Sequence, residues 1–345
     1  MQLDVSVSYP EKEIALEEVA DIEYLQLKLD DNFLFASDPH IVTSQKIIIS
    51  HDGDVLFFSR NGDPLSKFNR KGIGPGEYTF IRELLYDEQS DEIFIKFFKT
   101  IMVYSSSGEF KRAIPLLDTM EDYYSQIVNY DSEMLLLHND YNIYPNPFTF
   151  ISKKDGSVVD SIMTPKGKDI NLFVLDEEFL FFSPTYRIVK HRNGYLLTDY
   201  TIDTVYLFTH DKQLMPMLER KPKIQLMDPI IYLNSFIEAG NYDFFSAVTV
   251  RAENGSLPKK YLMREKKTGS VFRQKITFND YQGKTVYLSP ATIANTHDSK
   301  LGLIVLDLYE LFEANKENRL KGKLKDFVDN SDEEGNSIFL LLHFK

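Results

Sequence analysis

The stretch QKIIISHDGDVLFFSRNGDPLSKF, residues 45–68, contains two apolar segments and two polar turns. Gln45–Ser50 and Val55–Ser59 are rich in Ile, Val and Phe, the residue types that suit pleated strands. Asp52-Gly53 lies between the two segments as a hairpin signal, and a second turn, Asn61-Gly62, comes before Pro64–Phe68. The stretch therefore predicts antiparallel strands joined by tight turns.

The same unit recurs along the chain. Gly62 is followed by a turn glycine 46 residues later, Gly108, and by another after a further 48 residues, Gly156. Later copies are less regular, because the fourth turn, His210–Lys212, lacks glycine and two spacings exceed fifty residues. The strand pairs of copies two to six are 92–97 with 100–104, 133–138 with 148–152, 194–199 with 204–209, 243–250 with 260–264, and 285–289 with 302–306.

A period near fifty residues with three or four strands per unit is the size of a β-propeller blade. Since each blade buries its faces against its neighbours, the units must close into a ring, and six units fit the length best. Ile22–Leu27 and Ser337–Phe344 are strand patterns near the two ends, and pairing them in one blade would remove open edges. Leu308–Leu320 has the spacing of an amphipathic helix inserted on the last blade.

These patterns predict an all-β fold: a six-bladed β-propeller closed by N- and C-terminal strands, with a short helical insertion near the C-terminus. We expect a single domain over residues 1–345. The alternative is a run of unrelated hairpins in a β-sandwich.

Composition excludes several function classes. The formal net charge is −13 and no basic stripe is present, so nucleic acid is not an expected partner. The chain has no cysteine, which excludes disulfides, thiolate zinc sites and a cysteine nucleophile. The longest apolar run, Ile338–Leu342, is far shorter than the ~20 residues of a transmembrane helix. We therefore expect no transmembrane segment within these residues.

A glycine-rich loop follows the first repeat. It lacks the Gly-Lys-Ser/Thr of a phosphate-binding loop, and no helix pattern follows it. We interpret the loop as a connector between blades, in which the glycines supply positive φ angles, the proline fixes one φ, and the tyrosine anchors the turn. The residues of this structural motif are Gly72, Gly74, Pro75, Gly76, Glu77 and Tyr78.

The loop, followed by Phe80-Ile81, resembles a family of six-bladed β-propellers that is distantly similar to NHL-repeat propellers. The resemblance extends over nearly the whole chain, although Asn330 is followed by Ser331 where that family usually has proline. Such proteins are common among exported lipoproteins of anaerobic gut bacteria. The resemblance implies a location in the cell envelope, with a lipid anchor upstream of residue 1, and no established activity. A cytoplasmic location is the alternative.

Propellers bind ligands at the axial mouth, where the innermost strands converge. The residues near the predicted starts of these strands are the candidate lining: His40, Arg82, Tyr124, Arg187 and Tyr232. Arginine and tyrosine there would suit an anionic or sugar ligand through charge-assisted and stacking contacts. The seven histidines form no HExxH motif and no i, i+4 pair, so we expect no metal and no cofactor.

Two functions remain open at this point. The first is a non-enzymatic binding or scaffold module of the bacterial cell envelope, with a glycan, a peptide or an envelope protein as the unidentified partner. The second is a propeller hydrolase or lyase with an axial metal or a pair of carboxylates. No GxSxG motif supports a serine hydrolase, so we assign no catalytic residue.

Overall fold

The structure is a computed structural model. It describes residues 1–28, 32–33, 35, 39–116, 124–139, 146–165, 173–176, 179–182, 185–199, 201–331 and 335–345. The N-terminal segment contains β1 (Gln2–Asp4), β2 (Glu11–Ala15), α1 (Leu16–Val19) and β3 (Ala20–Gln26). These strands join blades that the rest of the chain forms.

Blades one to three are four-stranded antiparallel sheets that follow one another along the chain. Blade one comprises β4 (Ile41–Val42), β5 (Lys46–His51), β6 (Asp54–Ser59) and β7 (Pro64–Asn69). Blade two comprises β8 (Glu83–Asp87), β9 (Glu92–Phe97), β10 (Thr100–Ser105) and β11 (Phe110–Pro115). Blade three comprises β12 (Tyr124–Asn129), β13 (Met134–Asn139), β14 (Phe148–Ser152) and β15 (Val158–Ile162). A two-stranded sheet, β16 (Phe173–Asp176) with β17 (Phe179–Phe182), comes next.

Blades four and five each gain a parallel strand from the N-terminal segment. Blade four comprises β18 (Ile188–His191), β19 (Gly194–Leu197), β20 (Thr204–Thr209) and β21 (Leu214–Lys221), and β1 pairs with β21. Blade five comprises β22 (Ile231–Ala239), β23 (Tyr242–Thr249), β24 (Lys259–Glu265) and β25 (Val271–Phe278), and β2 pairs with β25. An additional strand, β26 (Tyr281–Val286), pairs with β25 and is followed by α2 (Pro290–Ala294).

Blade six closes the ring. It comprises β27 (Leu301–Leu306), β28 (Ile338–Phe344) and β3, with β28 antiparallel to both neighbours. Two helices, α3 (Leu308–Lys316) and α4 (Gly322–Asp329), lie between β27 and β28 in sequence. The predicted six-bladed propeller closed by strands from both chain ends is therefore confirmed.

The core lies between the blades. Ile47 and Ile49 pack in the cluster between blades six and one, whereas Ile48 packs in the cluster between blades one and two. Leu135 and Leu137 face blade two, and Leu136 faces blade four. Since these second strands are buried on both faces, they have continuous apolar sequences rather than alternating ones.

Two details of the sequence prediction were wrong. Residues 285–289 were assigned to the sixth unit, but Thr285 and Val286 belong to β26 and pair with β25 in blade five. The single helix predicted over 308–320 ends at Lys316, and α4 follows it. Local periodicity identifies a strand or helix pattern but does not determine which sheet the strand joins or where a short helix breaks.

Candidate functional site

A cavity of about 310 Å³ lies on the axis, where the innermost strands meet. Its walls come from β8, β12 and β18, from the residues that precede β4, and from the segment at the end of α2. We call the end where the innermost strands begin the upper end, and the opposite end the lower end. Four blades and the linker between blades five and six thus contribute to one site.

Two of the five predicted site residues line this cavity. His40 and Arg82 lie at the upper end, just before β4 and β8, and both side chains are exposed. The backbone of Tyr124 begins β12, but its side chain lies outside the described residues.

The other two predicted residues do not line the cavity. Arg187 and Tyr232 are each 3% exposed, and the Arg187 Nη1 atom donates a hydrogen bond of 2.5 Å to the Tyr232 hydroxyl. Both belong to a buried polar layer with Asp199, whose carboxylate lies 2.8 Å from the His138 Nε2 atom. Burial raises the pKa of Asp199, but the hydrogen bond and charge of His138 and the charge of Arg187 outweigh it, so the pKa is lowered. This layer connects blades three, four and five as a structural element.

Lys190, which the sequence analysis did not select, lies near the lower end of the cavity. Its ammonium group donates one hydrogen bond of 2.7 Å, to the backbone carbonyl of His297. Burial lowers the pKa of Lys190 to about 8, and the charge of Asp298 only partly opposes this. Among the described residues, no carboxylate lies within ion-pairing distance of this ammonium. With a pKa of about 8, the amine of Lys190 is nevertheless mostly protonated, and so positively charged, at neutral pH.

His297 faces the same cavity as a neutral imidazole. Burial, followed by the nearby charge of Lys190, lowers the pKa of His297 to about 4. At neutral pH it therefore supplies a hydrogen-bonding ring rather than a second positive charge.

Asn129 at the end of β12 provides a further unsatisfied group in the cavity wall. Its Oδ1 atom is buried and has no hydrogen-bond partner in the part of the chain that the structure describes. Buried polar atoms are almost always paired in native proteins, so such an acceptor indicates a place for a donor from a ligand or a water molecule.

The described wall of the cavity contains few carboxylates and histidines. Glu83 is the one carboxylate among its described lining residues, and two of the seven histidines, His40 and His297, line it. Throughout the described ranges, no three His, Asp or Glu side chains come together in a group that could hold a metal ion. The axial carboxylate pair of the hydrolase hypothesis has no counterpart among these residues.

The glycine-rich loop packs between blades one and two, away from the axial cavity. The buried Tyr78 hydroxyl donates to the Gly53 carbonyl at 2.7 Å, and the Glu77 carboxylate accepts from the Gly74 amide at 2.8 Å. Of the loop's three glycines, Gly76 has a positive φ, +74°. Gly72 instead allows the close approach of Glu77, since a Cβ atom there would lie 1.9 Å from the carboxylate.

No helix among the described residues is long and apolar enough to cross a membrane. No curated protein matches the sequence significantly. Among solved structures, the chain is similar to BF0058, a candidate exported protein of Bacteroides fragilis, with a TM-score of 0.70, 16% identity and 100% coverage of both chains. It is also similar to a DUF4221-family protein of Bacteroides vulgatus, with a TM-score of 0.54, 13% identity, and coverage of 95% of this chain and 97% of that one.

At these identities the structural similarities show the fold alone. The sequence itself matches, over residues 2–343, a protein family described as a domain of unknown function, DUF4934. Because the match covers nearly the whole length, the chain belongs to the DUF4934 family.

Proposed function

We propose that this protein is a non-enzymatic binding module of the bacterial cell envelope, and that its ligand occupies the axial cavity. The observation that carries the proposal is the cavity itself: about 310 Å³ of space in which polar groups from separate blades converge. Ligand sites of proteins are concave, and their volumes begin at about this size. The described wall supplies an ammonium group and a buried amide oxygen, which can pair with an anionic group and a hydrogen-bond donor of a ligand.

The envelope location is supported by the overall similarity to the exported-type protein BF0058. We propose that the chain is exported and tethered by a lipidated cysteine upstream of residue 1. Cell fractionation of the native gene product tests both statements, because an exported lipoprotein enters the membrane fraction and incorporates labelled fatty acid. Recovery in the cytoplasmic fraction would show that the alternative location is correct.

A variant that fills the cavity tests the binding function. Ala294, at the end of α2, lines the cavity and is exposed, whereas Ala291 on the same helix is exposed but does not line it. We expect Ala294→Trp to abolish binding of any ligand found by calorimetry against defined glycans and peptides. Ala291→Trp, the matched control, should bind like the wild type.

Three outcomes would contradict the proposal. Equal binding by Ala294→Trp and Ala291→Trp would show that the ligand binds away from the axial cavity. If none of the tested glycans and peptides binds, the cavity is not a binding site for these ligand classes. Turnover of a bound glycan or peptide would favour the hydrolase or lyase alternative. Each variant's thermal unfolding confirms beforehand that the ring is intact.

A further inference from the structure

We infer that the lower end of the axial cavity holds a small hydroxylated carboxylic acid, a sugar acid, with Lys190 pairing the carboxylate and Asn129 accepting a hydroxyl. This inference rests on the proposed function, because it specifies the ligand of the same cavity. It is carried by two groups from different blades that line one space and lack the partners their chemistry requires.

The first group is the Lys190 ammonium. An ammonium has three donors, and Lys190 uses one of them, on the carbonyl of His297. Buried charges in proteins are paired, because an uncompensated charge in a cavity is costly. With no described carboxylate at ion-pairing distance, the missing partner is an anion that enters the cavity.

The surroundings of Lys190 favour an anion over a cation. Lys190 also lines a second cavity of about 100 Å³, at the lower end beside blades four and five. Arg192, Lys266 and Lys300 line that second cavity, and Glu238 is its one described acidic side chain. Glu238 pairs with Arg192 and Lys266 at 3.3 and 3.8 Å, but the cations outnumber it. In a chain of net charge −13, this local excess of positive charge raises the local concentration of anions.

The second group is the Oδ1 atom of Asn129, which can only accept. A carboxylate has no donor and cannot satisfy it, so a ligand that contacts this oxygen without an intervening water must also carry a donor, such as a hydroxyl, an amide or an amine. An amine would be repelled by the ammonium of Lys190 in the same cavity. A hydroxyl is neutral and satisfies the acceptor without this repulsion.

Cavity size limits the ligand further. A volume of about 310 Å³ lies at the lower limit of small-molecule sites, which suits a single sugar ring rather than a long chain. The half-buried ring of Tyr186, also in the wall, gives an apolar face of the kind that sugar rings pack against. Charge, acceptor and size together indicate a monosaccharide acid.

Glucuronate and glucose form a matched pair of probes, because they differ in one carboxylate. We expect calorimetry to give a Kd for glucuronate about tenfold or more below that for glucose, the difference expected from one charge-assisted contact. Succinate, which has carboxylates but no hydroxyl, and inorganic phosphate should bind more weakly than glucuronate.

Variants assign the two contacts separately. Lys190→Met should raise the Kd for glucuronate about tenfold and leave that for glucose unchanged, while Lys190→Arg keeps the charge and retains most of the affinity. Asn129→Ala should weaken glucuronate more than succinate. Lys323→Met, an exposed lysine on α4 outside both cavities, is the control and should bind like the wild type.

The outcomes separate this inference from the proposed function. If glucuronate fails to bind but another ligand binds and is blocked by Ala294→Trp, the sugar-acid assignment is overturned and the binding function stands. If no ligand is blocked by Ala294→Trp, both fail. Phosphate or succinate binding as tightly as glucuronate would remove the hydroxyl requirement and overturn the assignment.

Discussion

Lys190 is the residue at which burial and charge conflict most clearly. It occupies the third position of a four-residue innermost strand, β18, whose preceding residues, Ile188 and Val189, are buried core residues. A lysine that only covered the surface would extend its ammonium into solvent and keep its ordinary pKa. Here the ammonium instead donates to the His297 carbonyl in the cavity wall, and burial lowers its pKa to about 8.

The pKa of Lys190 predicts an unusual pH dependence of stability. Because the folded-state pKa lies below the unfolded value of 10.5, the unfolded chain binds more protons between pH 8 and 10.5, and the free energy of unfolding rises across this window. The difference between wild type and Lys190→Met should increase by at most about 3 kcal/mol from pH 8 to 10.5, less where solvent reaches the amine. Urea unfolding at several pH values measures it.

Ligand binding should show the opposite pH dependence. Anion affinity requires the protonated ammonium and therefore falls as the pH rises through about 8. The other titratable or charged groups around the site are Asp298 and the neutral His297 after α2, and Arg82 and Glu83 on the side of β8. If the difference in the free energy of unfolding between wild type and Lys190→Met does not change with pH, the ammonium is freely solvated.

At the scale of the element, the recurring turn glycine has a physical role. Gly62 and Gly156 have φ angles of +84° and +76°, and each lies against the backbone of the preceding blade's outermost strand. A Cβ atom at Gly156 would lie 2.4 Å from the Pro115 carbonyl oxygen, a backbone atom that cannot move aside. In blade four the glycine is lost, but Lys212 keeps the same turn with a φ of +61°.

These turns predict opposite effects of two substitutions. Lys212→Gly removes a strained left-handed backbone and should raise the free energy of unfolding by about 0.5–1 kcal/mol. Gly156→Ala adds both strain and a backbone clash, and should lower it by about 1–3 kcal/mol. Chemical denaturation measures both free energies of unfolding. If Lys212→Gly lowers the free energy of unfolding, the contacts of the lysine side chain outweigh the backbone strain at this turn.

At the scale of the whole molecule, ring closure depends on β28. Leu340 and Leu342 pack in the cluster shared by blades four to six, whereas Phe339 and Leu341 pack against blade one. Loss of the packing on either face of β28 would leave an open ring with unpaired strand edges and exposed apolar surface. We propose on this basis that residues 1–345 unfold as one domain.

Leu341→Asp tests the closure. Leu341 is 0% exposed between blades six and one, and a buried carboxylate there should abolish cooperative folding or lower Tm by tens of degrees. Leu65→Asp, on the outermost strand of blade one and 53% exposed, is the control and should leave Tm nearly unchanged. A calorimetric scan of Leu341→Asp in which blade one melts separately would contradict a single domain.

The sequence by itself determined the repeating unit and the closure. Continuous apolar runs such as 47–49 and 135–137 recur because a second strand buried on both faces leaves no position for a polar residue. Turn glycines recur because each turn needs a left-handed residue close to the neighbouring blade. These are local constraints, so they are visible in a single sequence.

Only the tertiary structure decided which residues share the cavity. Lys190 contacts the carbonyl of His297 across 107 residues, and Asn129 reaches the same wall from another blade. Their positions differ from the predicted ones because the unsatisfied groups lie near the ends of the innermost strands, not at the starts. A lysine or asparagine at a strand end is ordinary in sequence, and it becomes a candidate site when closure of the ring half-buries it and leaves part of its hydrogen-bonding capacity unused.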